Sequence, residues 1–529
     1  MSEKSSDYCK VPTNEILNSL ERTVPSHYGC GVRHIQFVIF LLCMTVAFIA
    51  RSHLGVTIVA MTNISQKNVT NETLINVTEQ IDTNSIFSEA EFIGISETDE
   101  LNNNTEAENS TSKHEFQVYD WDMSIQEMVL GAFFTGYCIG MVPSGILSQR
   151  CGGKISFQFS LLINGITSIV TPWLVEWGGW KAVCGCRFLQ GISQSGTYPS
   201  IQSLLSKWVP ANELGAFTSY IYTGTTLGTV IGFQLGGFLA ESRWGWPTTF
   251  WVVGILCILC SIIMTIFGAA SPNDHKSISE EEKMFIFGDR SDKLIKRNKK
   301  VPWKSIITSK PIWATYVSNI SSGCTFIFFL TQVPSYIHYI LGNDVMKSGL
   351  LSSLPYIASL FTSVGFGILS DYLTNNNILS TKTARRISNS FSQVGISLSL
   401  FMSTVVTSTE LVVTCLVIAM GCQMGVHTGW MVNQIDLAPN YTGAVMTIGN
   451  SMATFFIQLM PFMISNIVID VRNLIQWRIC FGIVAAWTLV GNAVFVIMMS
   501  AEKQPWNDYA DISTDEEKNE HENNVIVKK

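Results

Sequence analysis

Hydrophobic residues gather into about twelve long runs separated by polar breaks. The runs cover 34–62, 123–148, 155–175, 180–208, 213–240, 247–270, 311–341, 349–372, 387–407, 411–435, 442–469 and 477–500. Each matches or exceeds the roughly 20 apolar residues that carry a helix across a bilayer. Phe250–Ala270 holds no charged residue at all. Other runs carry Gly, Pro and Thr at densities a soluble helix would not bear. A membrane helix tolerates them, because neighbouring helices re-satisfy the freed backbone groups. The pattern predicts an all-α membrane protein of twelve transmembrane helices. Residues 1–33 are polar without a signal-peptide pattern, so the first run is expected to remain as a span.

Composition agrees. Only 14% of the 529 residues are charged, against about 25% in a typical soluble chain, and mean hydropathy is +0.28. That balance argues against a water-soluble enzyme. Aromatic residues at 11% and 13 Cys exclude a disordered, collagen-like or disulfide-knit chain. A net charge of −7 leaves no footprint for nucleic acid.

The positions of the charges are more informative than their number. Lys and Arg stay on the cytoplasmic side of a membrane. With both termini inside, the inside segments hold 24 of the 33 Lys and Arg, ten of them in 271–310. The outside loops hold seven, and two, Arg51 and Arg187, lie within the apolar runs. Segment 63–120 carries six N-x-S/T sequons, at Asn63, Asn68, Asn71, Asn76, Asn103 and Asn109, and no Cys. It reads as a glycosylated loop on the outside.

An internal repeat divides the chain. Gly145-Ile-Leu-Ser148 closes the second run and Gly367-Ile-Leu-Ser370 the eighth, 222 positions later. Gly215-Ala216 after the fourth and Gly443-Ala444 after the tenth are 228 apart, each preceded by a Pro. Six plus six helices in parallel repeat is the arrangement of major facilitator transporters, which hold substrate near the midplane between the halves. The expected organisation is an inside tail (1–33), a six-helix half (34–270, including the 63–120 loop), an inside linker (271–310), a second six-helix half (311–500) and an inside tail (501–529). Gly224, Gly228, Gly232 and Gly236 in the fifth run, and Gly421, Gly425 and Gly429 in the tenth, make grooves where backbones approach closely.

Motifs spread along the chain resemble one family. They are Ala50-Arg-Ser-His-Leu-Gly-Val-Thr57 in the first run, Trp121-Asp122 opening the second, and Arg187-Phe-Leu-Gln-Gly191 with Thr197-Tyr-Pro199 in the fourth. Val301-Pro-Trp-Lys304, Asn433-x-x-Asp436-x-x-Pro439 and Glu502-Lys-Gln-Pro-Trp506 continue the series. Together they are similar to the anion/cation symporters, solute carrier family seventeen, which includes sialin, vesicular glutamate transporters and type I sodium–phosphate cotransporters. The resemblance implies a major facilitator fold and a small anionic substrate.

An Arg in mid-helix is costly in hydrocarbon and is normally paired or faces an aqueous cavity. Arg51 has no acidic residue in its own run, and its fork suits a carboxylate or phosphate. It is the candidate anion anchor, the role the family also implies; an ion pair with another helix is the alternative. Arg187 divides between substrate contact and structural pairing. Tyr198, beside Pro199, is placed near substrate by the resemblance. His53 lies about 200° around the helix from Arg51, which fits a packing group, with proton coupling as the other reading.

Departures from the family narrow the coupling. Where the glutamate transporters carry an extra His, Arg and His, this chain has Leu130, Ser322 and Tyr356. Where they and sialin have a fourth-helix carboxylate, it has Gln194, which cannot exchange a proton. Gln194 therefore suggests sodium or membrane potential as the drive, with sialin-like proton coupling as the alternative. Asp371, after the repeated Gly-Ile-Leu-Ser, resembles a gate carboxylate, and Asp436 is a similar candidate. No nucleotide-binding, metalloprotease or hydrolase motif occurs, so neither an enzyme nor an organic cofactor or metal is expected, only a coupling Na⁺ or H⁺. The expectation is a secondary transporter of inorganic phosphate or organic anions working by alternating access, more readily in the plasma membrane than in an organelle. A non-transporting nutrient receptor is the rival from another class.

Overall fold

The computed structural model describes residues 29, 31–62, 117–210, 213–288 and 301–507. All six expected glycosylation sites lie outside the described residues. What is described is helical, with one isolated bridge between Thr62 and Tyr119. Nine helical stretches among the described residues are long and apolar enough to cross a membrane. One of them, Gly153–Trp208, is two spans, because Gly179 (φ 60°, ψ −155°) breaks the helix Gly153–Gln194. Leu214–Ala240 and Thr381–Val405 bring the number of spans to twelve. The ninth, Thr381–Val405, is less apolar because it turns Asn389, Ser392, Gln393 and Ser397 into the protein interior. The protein is an integral, multi-pass membrane protein.

Side-chain caps set several helix starts, at the first residue of the apolar run for the second span and a few residues before it for the eighth and ninth. The second span starts at Met123, after Asp122 accepts the Ile125 N–H at 2.8 Å. The eighth starts at Val345, after Asp344 accepts the Lys347 N–H at 2.7 Å. These caps are also 222 positions apart, so the repeat extends from the ends of the two spans to their beginnings. Two spans are irregular within their length. The first span is Val32–Ser52 and Leu54–Met61, joined at His53. The tenth is Thr409–Gln423, a wider π turn at His427–Met431 and Val432–Leu437. Gly429 (ψ −108°) leaves the helical region within that turn.

The fifth-span glycines do what their spacing predicts. A Cβ on Gly228 would meet the Thr45 carbonyl and one on Gly232 the Ser52 hydroxyl, so the fifth span lies backbone to backbone on the first. In the tenth span, Gly425 and Gly429 face Ser388 and Asn389 of the ninth.

The halves meet at the end opposite the linker. There Gly55 faces the Leu330 carbonyl, Thr62 shares a hydrogen bond with Tyr339 (3.0 Å), and Glu241 accepts the Met346 N–H (3.0 Å). Contact continues to mid-depth, where Phe233 packs against Tyr356 and Thr135 donates to Gln458. Towards the linker end, Gly145 on the second span and Gly365 and Gly367 on the eighth face open space. Among the described residues, the halves are closed on the far side.

The two segments expected to be tail and linker pack in part onto the bundle. Gln504 donates its N–H to the Leu437 carbonyl, and Trp506 is buried beside Tyr441. The linker helix Glu280–Gly288 presents Glu282 to the start of the first span, accepting the N–H groups of Val32 (3.0 Å) and Arg33 (2.9 Å). Those donors have no partner within their own helix. Glu282→Ala removes both acceptors and should cost about 1–2 kcal/mol. The check is a lower melting temperature of the purified protein together with faster tryptic cleavage of the linker; unchanged values for both would show that the cap is idle.

Candidate functional site: two guanidiniums on one ring

The second and fourth spans approach closely because both are thinned by glycine. A Cβ on Gly136 would meet the Phe188 carbonyl, and one on Gly191 the Phe133 carbonyl. Gly191 ends the Arg-Phe-Leu-Gln-Gly motif, so the motif itself seats Arg187 against Phe133. The Arg187 guanidinium lies 4.7 Å from that ring's centroid. Arg51, from the first span, lies 5.1 Å from the same centroid. Arg51 is also within 5.5 Å of the ring centroids of Phe48, Phe134 and Tyr137. The structure thus brings together the two charges that the sequence places inside the membrane.

Neither guanidinium has a carboxylate partner. The ion pairs among the described residues are Arg33–Glu213, Lys283–Glu280 and Arg385–Asp436. Arg187 is buried, donates from Nη1 to Gln190 Oε1 at 2.9 Å, and leaves Nε without a partner. Arg51 is half-buried and its Nε is likewise unpartnered. Ring faces attract both cations, each contact worth about 0.5–2 kcal/mol. That does not neutralise two like charges close enough to repel each other.

The other predicted residues fall around this pair. Tyr198 stacks edge-on with Phe48 and Tyr222, which puts it on the wall beside Arg51. Gln194 is buried, and its amide N–H groups go to the Ala47 carbonyl and Asn164 Oδ1, both at 3.0 Å, so it ties the first, third and fourth spans together. His53 is buried edge-on against Phe250, within electrostatic reach of Arg187. Asp436 pairs with Arg385 at 2.9 Å, and Arg385 also reaches Ser370 and the Thr428 carbonyl. This joins the eighth, ninth and tenth spans near the linker end. Asp371 sits in the helix Val345–Asn375, and its side chain lies outside the described residues.

In the second half the midplane is neutral. Ser322 accepts from Gln393 (3.0 Å) and Trp430 (3.3 Å), and its carbonyl accepts from Gln423 (3.0 Å). Tyr356 is a buried plug between Phe233 and Phe326. One buried ionisable residue escaped the sequence reading. Glu127, the sole acidic residue of its run, is 2% exposed and bonded to Gln332 of the seventh span. The rule that singled out Arg51 and Arg187, that charge inside the membrane is functional until shown otherwise, would have found it.

Fold and site together define a two-half membrane transporter. Residues 40–461 match the Major Facilitator Superfamily. The chain belongs to that superfamily and, within it, to the anion/cation symporters of solute carrier family seventeen. It is 30% identical over 394 residues to a putative inorganic phosphate cotransporter of Drosophila ananassae, covering 74% of this chain and 82% of the relative. It is 30% identical over 389 residues to sialin of Homo sapiens (73% and 78%). The match to vesicular glutamate transporter 3 of Danio rerio is 29% over 424 residues (79% and 71%). Among solved structures, a bacterial homologue of the human lysosomal transporter Spinster, inward-facing and occupied, aligns with TM-score 0.60 and 12% identity, covering 88% of this chain and 96% of that one. The D-xylose–proton symporter aligns with TM-score 0.58 and 14% identity (88% and 98%). At such identities the structures establish the fold alone.

Gly191→Ala should force the fourth span off the Phe133 backbone and cost about 1–3 kcal/mol. Gly185→Ala, whose new methyl would meet nothing within 4 Å, should be neutral. Thermal melts of the two variants check this; equal melting temperatures would contradict the close approach.

Proposed function

We propose that this protein is a secondary transporter of small anions, inorganic phosphate or organic anions, working by alternating access. The observation that carries the reading is the Arg51–Arg187 pair on one aromatic ring with no carboxylate beside it. An anion forked between the two guanidiniums would gain paired charge-assisted hydrogen bonds in a site of low dielectric. The relatives named for phosphate, sialic acid and glutamate are all anion carriers by name, which supports the class. The rings of Phe48, Phe133, Phe134 and Tyr137 around Arg51 favour an anion with a carbon body over bare phosphate.

Sodium or the membrane potential is the drive we propose for the anion. Gln194 stands where a carboxylate would relay protons, and both its N–H donors are engaged in holding helices together. Relatives named as vesicular remove the reason to prefer the plasma membrane; immunolocalisation against surface and organelle markers decides the compartment.

The test is uptake of labelled phosphate, glutamate, sialic acid and urate into proteoliposomes, with sodium, proton and potential gradients imposed separately. Accumulation against a gradient is expected; saturable binding without accumulation would make the protein a receptor. Arg51→Ala should lower uptake roughly 10- to 100-fold, the loss of one or two charged hydrogen bonds, at unchanged amounts of protein in the membrane. Arg51→Lys should restore part of it. Wild-type uptake by Arg51→Ala would remove Arg51 from the site.

A further inference from the structure

Glu127 has no role in the anion site, yet it occupies the seam between the halves on the closed far side. It lies one turn into the second span, and Gln332 lies near the far end of the seventh. Both are almost wholly buried, at 2% and 1% exposure. Gln332 Nε2 donates to Glu127 Oε1 at 2.8 Å. The second carboxyl oxygen, Glu127 Oε2, and the amide oxygen, Gln332 Oε1, have no partner among the described residues.

Two buried lone acceptors, one from each half on side chains already joined by a hydrogen bond, form an incomplete arrangement. An ionised carboxylate held by one neutral amide in such a place carries a large desolvation cost. A single proton removes it. Placed on Oε2, the proton neutralises the acid and lets it donate to Gln332 Oε1, so that acid and amide form a closed pair with two hydrogen bonds. Among the described residues, no basic side chain competes for this role. Arg51 and Arg187, from the first and fourth spans, are turned to the Phe133 ring, and His53 to Phe250. On the seventh span, Tyr339 bonds Thr62, and His338 is engaged by the Asn343 carbonyl. On the twelfth, Arg478 is near Tyr336, and Cys480 is the titratable group within electrostatic reach of Glu127. The eleventh-span segment Leu459–Ile467 carries no titratable residue.

We propose that Glu127 is a proton-binding site that latches the two halves on the far side. Closure takes up one proton from the far-side solution onto Oε2. Opening parts the second span from the seventh, hydrates both side chains and returns that proton to the same solution. The site differs from the anion pair in position and chemistry, and rests only on the alternating-access reading. It makes far-side opening sensitive to pH whichever gradient drives the anion.

The test uses the full-length protein in lipid nanodiscs without added anion. Spin labels carried on unnatural amino acids replace Lys181 of the first half and Lys347 of the second, both exposed at the far side. Raising pH should add a longer inter-label distance in the wild type, while Glu127→Gln, an amide that cannot lose a proton, should keep the short distance at every pH. Infrared difference spectra should show a protonated-carboxyl band that fades as the long distance grows and is missing in Glu127→Gln. A wild-type distance distribution that ignores pH, a variant that opens as the wild type does, or absence of the band would each overturn the latch. If Glu127→Gln fails to fold, the wild-type distances and band still decide. Because no anion is present, failure here leaves the anion site standing, and failed uptake leaves the latch standing.

Discussion

Positive charge in a low-dielectric interior is the constraint around which this protein is organised. Two guanidiniums sit at the centre of a helical bundle, supported by aromatic faces and one amide, and unmatched by any carboxylate among the described residues. Their desolvation is offset only in part by the rings. The folded protein therefore holds an electrostatic debt that an anion is suited to cancel. Everything nearby serves to hold that pair in place. Gly136 and Gly191 bring the second and fourth spans together, Gly228 and Gly232 bring the fifth onto the first, and Gln194 ties the first to the third and fourth.

The halves divide the work unequally. The first brings charge to the midplane. The second fills the same depth with neutral donors and acceptors, in which Ser322, Gln393, Gln423 and Trp430 satisfy one another. Its charges stay near the linker end, where Arg385 and Asp436 fasten three spans. A repeat that is symmetric in its caps and turns has thus become asymmetric in its chemistry. An anion would be gripped by one half and merely solvated by the other, an arrangement in which one half can move without carrying the bound charge with it.

Much of this was legible in the sequence. Runs of apolar residues located the spans to within a few positions, because hydrophobic length is a property of local sequence. The two intramembrane arginines were legible because burial of charge is rare enough to mean something. Their shared ring was not, since Phe133 lies some 80 positions from Arg51 and no spacing rule links them. Glu127 was overlooked because its significance comes from Gln332, 205 positions away. Gln194 shows in the sequence only that its amide cannot carry a proton; its part in tying helices together depends on Ala47 and Asn164, which only the packed bundle brings within reach.

The cap at the start of the first span has a consequence for biosynthesis. Val32 and Arg33 are satisfied by Glu282, 250 positions further along the chain. A ribosome must therefore complete all six spans of the first half before the first helix has its beginning secured. During that interval the nascent half has an open N-terminal turn, with Arg33 close to a Glu213 that is itself made late. The linker helix is then the closing piece of the first half.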